Sequence, residues 1–270
     1  GVMIAALGAG LLWLVSAAFG LPWQFGATVA VMITLASAAW AERTLKESYK
    51  RILLPRVVKA IGGGLQYSEE STLTKDDFLQ MDMFDRLVEN FSSEDEISGS
   101  AGEVTYTIHE CLATRTEGSG KNRRKVTIFR GLIVRLDFNK HFNGHTVVVA
   151  NSESQILGGL FGESEGRRGK TLSKMENPEF EAGFSVYSTD DQQARYILTP
   201  KLMELLLDAE RHLSANLRFS FIDSSVFVAV SDKKTRFDAS IYTSSVTPES
   251  AMGDLGEVVD IAEGLVKTLE

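Results

Sequence analysis

A single cysteine, Cys111, is the only thiol in 270 residues. No disulfide can close within the chain, which fits a reducing cytoplasm. Charge is also missing, but only from one end. No Asp, Glu, Lys, Arg or His occurs before Glu42, and the remainder carries all 28 basic and all 36 acidic side chains. A basic surface is lacking too. The net charge is −8, and the basic clusters are short with no interleaved aromatics, which argues against nucleic acid as a partner. A complete phosphate-binding loop is absent. In Ser164-Glu165-Gly166-Arg167-Arg168-Gly169-Lys170-Thr171, serine stands where the motif needs its first glycine, and Glu163 and Glu165 repel phosphate.

What fills the charge-free end is apolar. A bilayer takes about 20 apolar residues as one helix, so 41 residues are too many for one span and suit two. The spacing predicts a transmembrane hairpin over 1–41, with helices at about 2–19 and 24–41. Gly20-Leu21-Pro22-Trp23 is the break, because Pro22 removes a backbone donor and Gly20 permits a tight turn. A signal peptide is excluded by the length of the run before Ala36-Ser37-Ala38. Small residues at four-residue spacing, such as Ala30, Thr34 and Ala38, let helices approach closely, within the hairpin or in a homo-oligomer. Six basic residues against two acidic ones follow between Glu42 and Lys59. By the positive-inside rule this sets the rest of the chain in the cytoplasm of a bacterial inner membrane. Trp23, Arg43, Lys46, Lys50 and Arg51 are the expected membrane-interface residues, in contact with lipid headgroups.

Residues 42–66 read as a juxtamembrane helix, kinked or restarted at Pro55 and ended by Gly62-Gly63-Gly64. Residues 67–270 read as an α+β domain of mixed antiparallel sheet and helix, with two halves divided near 151–174. Thr74 is an N-cap with acids in the following turn. The Ser-, Glu- and Asp-rich stretch 92–100 reads as a loop. From Val104 the pattern turns to period two, and Glu117-Gly118-Ser119-Gly120-Lys121-Asn122 is a hairpin loop between strands. Asn143-Gly144 and Asp223-Ser224 read as turns. Short helices are expected near 178 and over 190–197, and longer ones from Thr199-Pro200 to His212 and from Pro248 to Leu269. A strand is also expected over 237–241.

Few residues point to chemistry. His141 and His145, four apart with Asp137 upstream, have metal-ligand types, but the glycine turn between them spoils helical spacing, and no third ligand is evident. His109-Glu110-Cys111 brings three reactive types together. Strand alternation sends His109 and Cys111 to one face and Glu110 to the other, and a buried lone cysteine behaves as a small hydrophobe. Arg195, near Asp190 and Asp191, and the loop residues Arg123 and Arg124 are the candidates for contact with a partner or an anion. No cofactor motif is present.

The run Asn177-Pro178-Glu179-Phe180-Glu181, Phe184-Ser185-Val186-Tyr187-Ser188-Thr189-Asp190 and Ala194-Arg195-Tyr196-Ile197-Leu198-Thr199-Pro200 resembles an uncharacterised bacterial family of two-pass membrane proteins with a cytoplasmic domain of unknown function. Phe129-Arg130-Gly131-Leu132, Asp137-Phe138-Asn139-Lys140 and Phe142-Asn143-Gly144 carry the same resemblance, which covers most of residues 42–242. It implies no activity. Some members are encoded near LemA-like membrane proteins, which implies a shared complex with such a partner.

With an anchor and no catalytic constellation, the expected role is a membrane-anchored, non-enzymatic scaffold or adaptor that binds a protein partner. The alternative is a lipid- or small-ligand-binding domain. A hydrolase built on His109, His141 or His145 is the third.

Overall fold

The computed structural model describes residues 23–48, 54–62, 64–84, 87–151, 169–213, 215–231 and 248–270. They fall into two compact units. One comprises residues 1–54 with 238–247, the other residues 55–237 with 248–270.

The described part of the first unit is helix α1 (Trp23–Ser48). It corrects the expected transmembrane hairpin. Among the described residues no helix is long and apolar enough to cross a membrane. Freedom from charge is not the same as an apolar helix. α1 contains Gln24, Thr28, Thr34 and Ser37, and it runs unbroken past the charge-free stretch into Glu42, Arg43, Lys46 and Glu47. The Thr44 hydroxyl donates to the Trp40 carbonyl at 2.9 Å, so the turn that leaves the charge-free stretch is as helical as those within it. Trp23 opens this helix and does not lie in a turn. The two-pass topology and the inner-membrane placement deduced from it fall with the hairpin. The first expected span, 2–19, lies outside the described residues, as do Lys50 and Arg51.

The second unit begins in α2 (Leu54–Ile61), which buries Leu54, Val57 and Val58. Its centre is an antiparallel sheet of β1 (Gln66–Glu70), β2 (Asn90–Ala101), β3 (Val104–Glu117), β4 (Arg124–Ala150), β5 (Thr171–Ser173), β6 (Phe184–Ser188) and β7 (Asn216–Ser231). The order is β1-β2-β3-β4-β6-β5, and β7 pairs with β4. β4 spans 27 residues and organises the rest. Its first half pairs with β3 and with Ser225–Ser231 of β7, its second half with β6 and with Arg218–Ile222. The two expected turns sit inside this ribbon. Asp223, at φ 52°, lies opposite Phe142, and the register slips on both sides of Phe142. The turn-forming residues therefore make matched bulges that bend two long strands.

β2 replaces the expected loop at 92–100. Its polar side chains face outward, and only Asp95 and Ile97 are buried. Such a strand lacks the hydrophobic alternation by which strands are read.

Alternation along the strands splits the core. One face carries Cys111, Ala113, Phe129, Ile133, Val147, Val149, Phe227 and Ala229. It is covered by α3 (Lys75–Gln80) and the segment after it. Thr74 closes a capping box with Asp77 at the start of α3. Phe78 stacks on Phe84 at 4.8 Å, and both rings meet Phe129. The other face carries Tyr106, Ile108, Leu132, Val134, Val228 and Val230, all buried. There α7 (Pro248–Leu269) packs on β4 and on α6 (Pro200–Leu213).

Gly99 is required by packing. It lies opposite Tyr106, and a Cβ there would sit 2.6 Å from Leu65 Cδ2 and 2.7 Å from Tyr106 Cζ. Gly99→Ala is expected to cost about 1–3 kcal/mol by overpacking. The check is the urea midpoint at unchanged slope. A loss under about 0.5 kcal/mol would show that the Tyr106 ring swings aside at little cost.

Candidate functional site

A groove lies beside the β5 edge of the sheet, where the entries of three helices meet. Asn177 caps α4 (Pro178–Gly183), accepting from Glu179 N at 2.9 Å and Phe180 N at 3.1 Å. Glu181 reaches back to accept from Met175 N at 2.8 Å, which fixes the turn before that helix. Asp190 caps α5 (Asp191–Ile197) through Gln192 N and Gln193 N, at 2.9 and 3.2 Å. Thr199 accepts from Leu202 N at 3.3 Å at the start of α6. Capping at each entry holds the elements in place.

Between them is a groove of about 410 Å³, lined by Met175, Glu176, Asn177, Arg195, Leu198, Pro200 and Met203. A smaller one of about 170 Å³ shares Met175 and runs along Leu172, Lys174 and Val186. Two apolar side chains nearby stay in solvent. Leu172 on β5 is 58% exposed and Tyr196 on α5 is 78% exposed. Helical geometry explains Tyr196. Ala194 and Ile197 take the core positions of α5, so 195 and 196 point out.

Arg195 is tied to Asp191, one turn earlier, through Nε and Nη2, each at 3.1 Å. The Ser173 hydroxyl, and after it the Arg195 guanidinium, hold the Asp191 carboxyl below the usual range. The groove thus mixes the apolar Met175, Leu198, Pro200 and Met203 with Glu176, Asn177 and the oriented Arg195 cation.

A second cluster lies under the sheet. His109 is 1% exposed. Its Nδ1 is 2.8 Å from Ser71 Oγ and 3.6 Å from Glu96 Oε2, and its Nε2 is 2.8 Å from Thr107 Oγ1. Ser71 continues to Ser93 at 2.6 Å, and Ser93 to Cys111 Sγ at 3.4 Å. Serine, histidine and glutamate are together, but hydroxyl and carboxylate both face Nδ1. A proton relay needs them on opposite ring nitrogens. Burial pushes the His109 pKa down to about 4 and the Cys111 pKa up to about 12, so at neutral pH the imidazole is uncharged and the sulfur is a thiol. The arrangement ties the strand β1 exit to β2 and β3.

The weak metal candidates Asp137, His141 and His145 form no such site among the described residues. Asp137 accepts from Arg135 Nε at 3.0 Å and from Ser225 Oγ at 2.7 Å. His145 Nε2 is 2.8 Å from Ser220 Oγ, while His141 is exposed. The bulges between Asp137 and His145 break the spacing. Among the described residues no three His, Cys, Asp or Glu side chains come together as a metal site. Arg123 and Arg124 lie exposed at the tip of the β3–β4 hairpin, far along the sheet from Arg195. Arg43 and Lys46 fall in the last turns of α1.

Arg195 was legible from its acidic neighbours. Met175, Leu198 and Met203 were not, because only the fold brings the turn before α4 against the start of α6. Tyr196 had a signal, an aromatic on the outer face of a short helix.

No curated protein matches the chain. Among solved structures, the crystal structure of the mycobacterial trehalose monomycolate transport factor A, TtfA, is similar at 13% identity and a TM-score of 0.44, over 79% of this chain and 96% of that one. A likeness at that level assigns neither chemistry nor partner. Residues 127–270, more than half of the chain, match a family model, and the chain belongs to that family, described as Protein of unknown function (DUF3137).

Proposed function

We propose that the domain is a non-enzymatic scaffold or adaptor that binds a protein partner in the groove between the turn before α4, α5 and α6. The observation that supports this is Tyr196, 78% exposed and directly after Arg195, which lines the groove. Tyrosine and arginine are enriched among the side chains that dominate binding energy at protein interfaces.

Tyr196→Ala is expected to weaken the partner about 30-fold, the ratio that corresponds to a hot spot of about 2 kcal/mol. Because the side chain is exposed, the unfolding midpoint should stay where it is. Affinity purification with crosslinking, followed by titration of the recovered partner against both forms, measures this. Recovery of one near-stoichiometric partner by the wild type and its loss from Tyr196→Ala support the reading. Equal binding by both forms, or no such partner, overturns it.

A further inference from the structure

β3 and β4 outrun the sheet. β2 pairs with β3 only as far as Thr114, and the β7 pairing with β4 begins at Gly131. Beyond these points, among the described residues, the ladder of Arg115–Glu117 is with Arg124–Val126, and the Glu89 carboxylate accepts from Thr116 N at 3.0 Å. The two strands form an arm whose tip carries Lys121, Arg123, Arg124 and Lys125, all exposed. Arg115 and Arg124 clamp Glu117 at 2.6 and 2.9 Å, and together they hold the Glu117 carboxyl low and brace the arm. Gly118 makes the bend at φ 86°, where a Cβ would meet Asn122 O at 2.3 Å.

The opposite charge lies elsewhere on the same sheet. Glu89 lies against the arm near Arg123, but strand residues 66–70, 90–101 and 104–110 carry six carboxylates and no Lys or Arg. The register puts Glu70 opposite Glu94 and Glu94 opposite Glu110, and Glu69 and Glu70 stand exposed on edge strand β1. The row at Glu110 is seven residues along β3 from Glu117, about 23 Å at ~3.3 Å per residue. That is more than twice the screening length of ~8–10 Å. Both poles belong to one braced sheet, so the arm cannot fold back to its own acidic edge.

We infer that the basic arm of one molecule docks on the acidic β1 edge of a second copy of this chain. The contact is head-to-tail, so each molecule keeps one arm and one edge open and assembly continues until a ring closes. Nucleic acid is disfavoured because the tip holds no aromatic and the whole chain is at −8. The arm and the Tyr196 groove share no residue, so failure of one proposal leaves the other standing.

Sedimentation velocity on the full chain tests it. At 50 mM salt the wild type should assemble with rising concentration, and at 500 mM the association should weaken by about tenfold or more. Lys121→Gln/Arg123→Gln/Lys125→Gln and Glu69→Gln/Glu70→Gln alter exposed side chains only and should each stay monomeric. Mixed one to one, they should form a dimer and stop, because the first retains the edge and the second the arm. A wild type that is monomeric at every concentration in low salt overturns the inference, even if it binds anionic vesicles or DNA. Assembly of either variant like the wild type overturns it as well.

Discussion

Lys170→Met should lower the unfolding free energy by about 3–5 kcal/mol. Lys170 and Asp82 are each 3% exposed and pair at 2.5 Å. Removing the cation leaves a carboxylate in a low-dielectric interior, and that desolvation far exceeds the value of an ordinary surface ion pair. Asp82 sits at φ 52° in the covered segment after α3, and Arg218 is already committed to the Met83 carbonyl at 2.6 Å and to the Phe84 ring. Urea unfolding followed by far-UV circular dichroism measures the loss. Asp82→Asn combined with Lys170→Met should recover most of it, because two neutral groups need no pairing and asparagine tolerates positive φ. A single-variant loss under about 1 kcal/mol would show that the pair is solvated. Lys170 directly precedes β5, so the variant should also loosen the strand that borders the Tyr196 groove.

Acid should cost the fold nearly as much through His109. Its folded pKa, near 4, lies below the unfolded value of about 6.5. The unfolded chain therefore binds the proton first as pH falls. The contribution is fully present above about 6.5, declines from there and is gone below about 4. Burial is the main cause. Glu96 and Asp77 favour the charged ring and Arg135 opposes it, and the net shift amounts to about 3 kcal/mol between pH 7 and 4. His109→Gln keeps a neutral hydrogen-bonding side chain and removes the titration. Unfolding free energies at pH 7, 6, 5 and 4.5 should fall less steeply for the variant. Parallel curves for the two proteins would sink the assignment.

Much of the domain was legible from local signals. Thr74 and Thr199 cap the helices that their side chains suggested, because a cap is decided by its own residue and the next three. Period two marked β3 and the alternation that buries His109 with Cys111. Three readings failed for identifiable reasons. The charge-free first 41 residues are a statement about composition, and α1 ignores its boundary. Asn143-Gly144 and Asp223-Ser224 have turn chemistry that serves equally for bulges, and only the pairing of β4 with β7 selects the bulge. β2 has almost no apolar alternation, so its strand state comes from hydrogen bonding between two neighbours rather than from burial.

By itself the sequence determined what depends on near neighbours: antiparallel strands with helices, the caps at Thr74 and Thr199, and the hairpin with its basic tip. The tertiary structure decided what depends on residues distant in the chain. It joined Met175 to Met203 in one groove and Asp82 to Lys170 across 88 positions. It separated Asp137, His141 and His145, and withdrew the transmembrane hairpin. The physical reason is one of range. Capping, turn geometry and periodicity act within a few residues, whereas grooves, buried ion pairs and strand registers arise from loop closure between segments that no local pattern records.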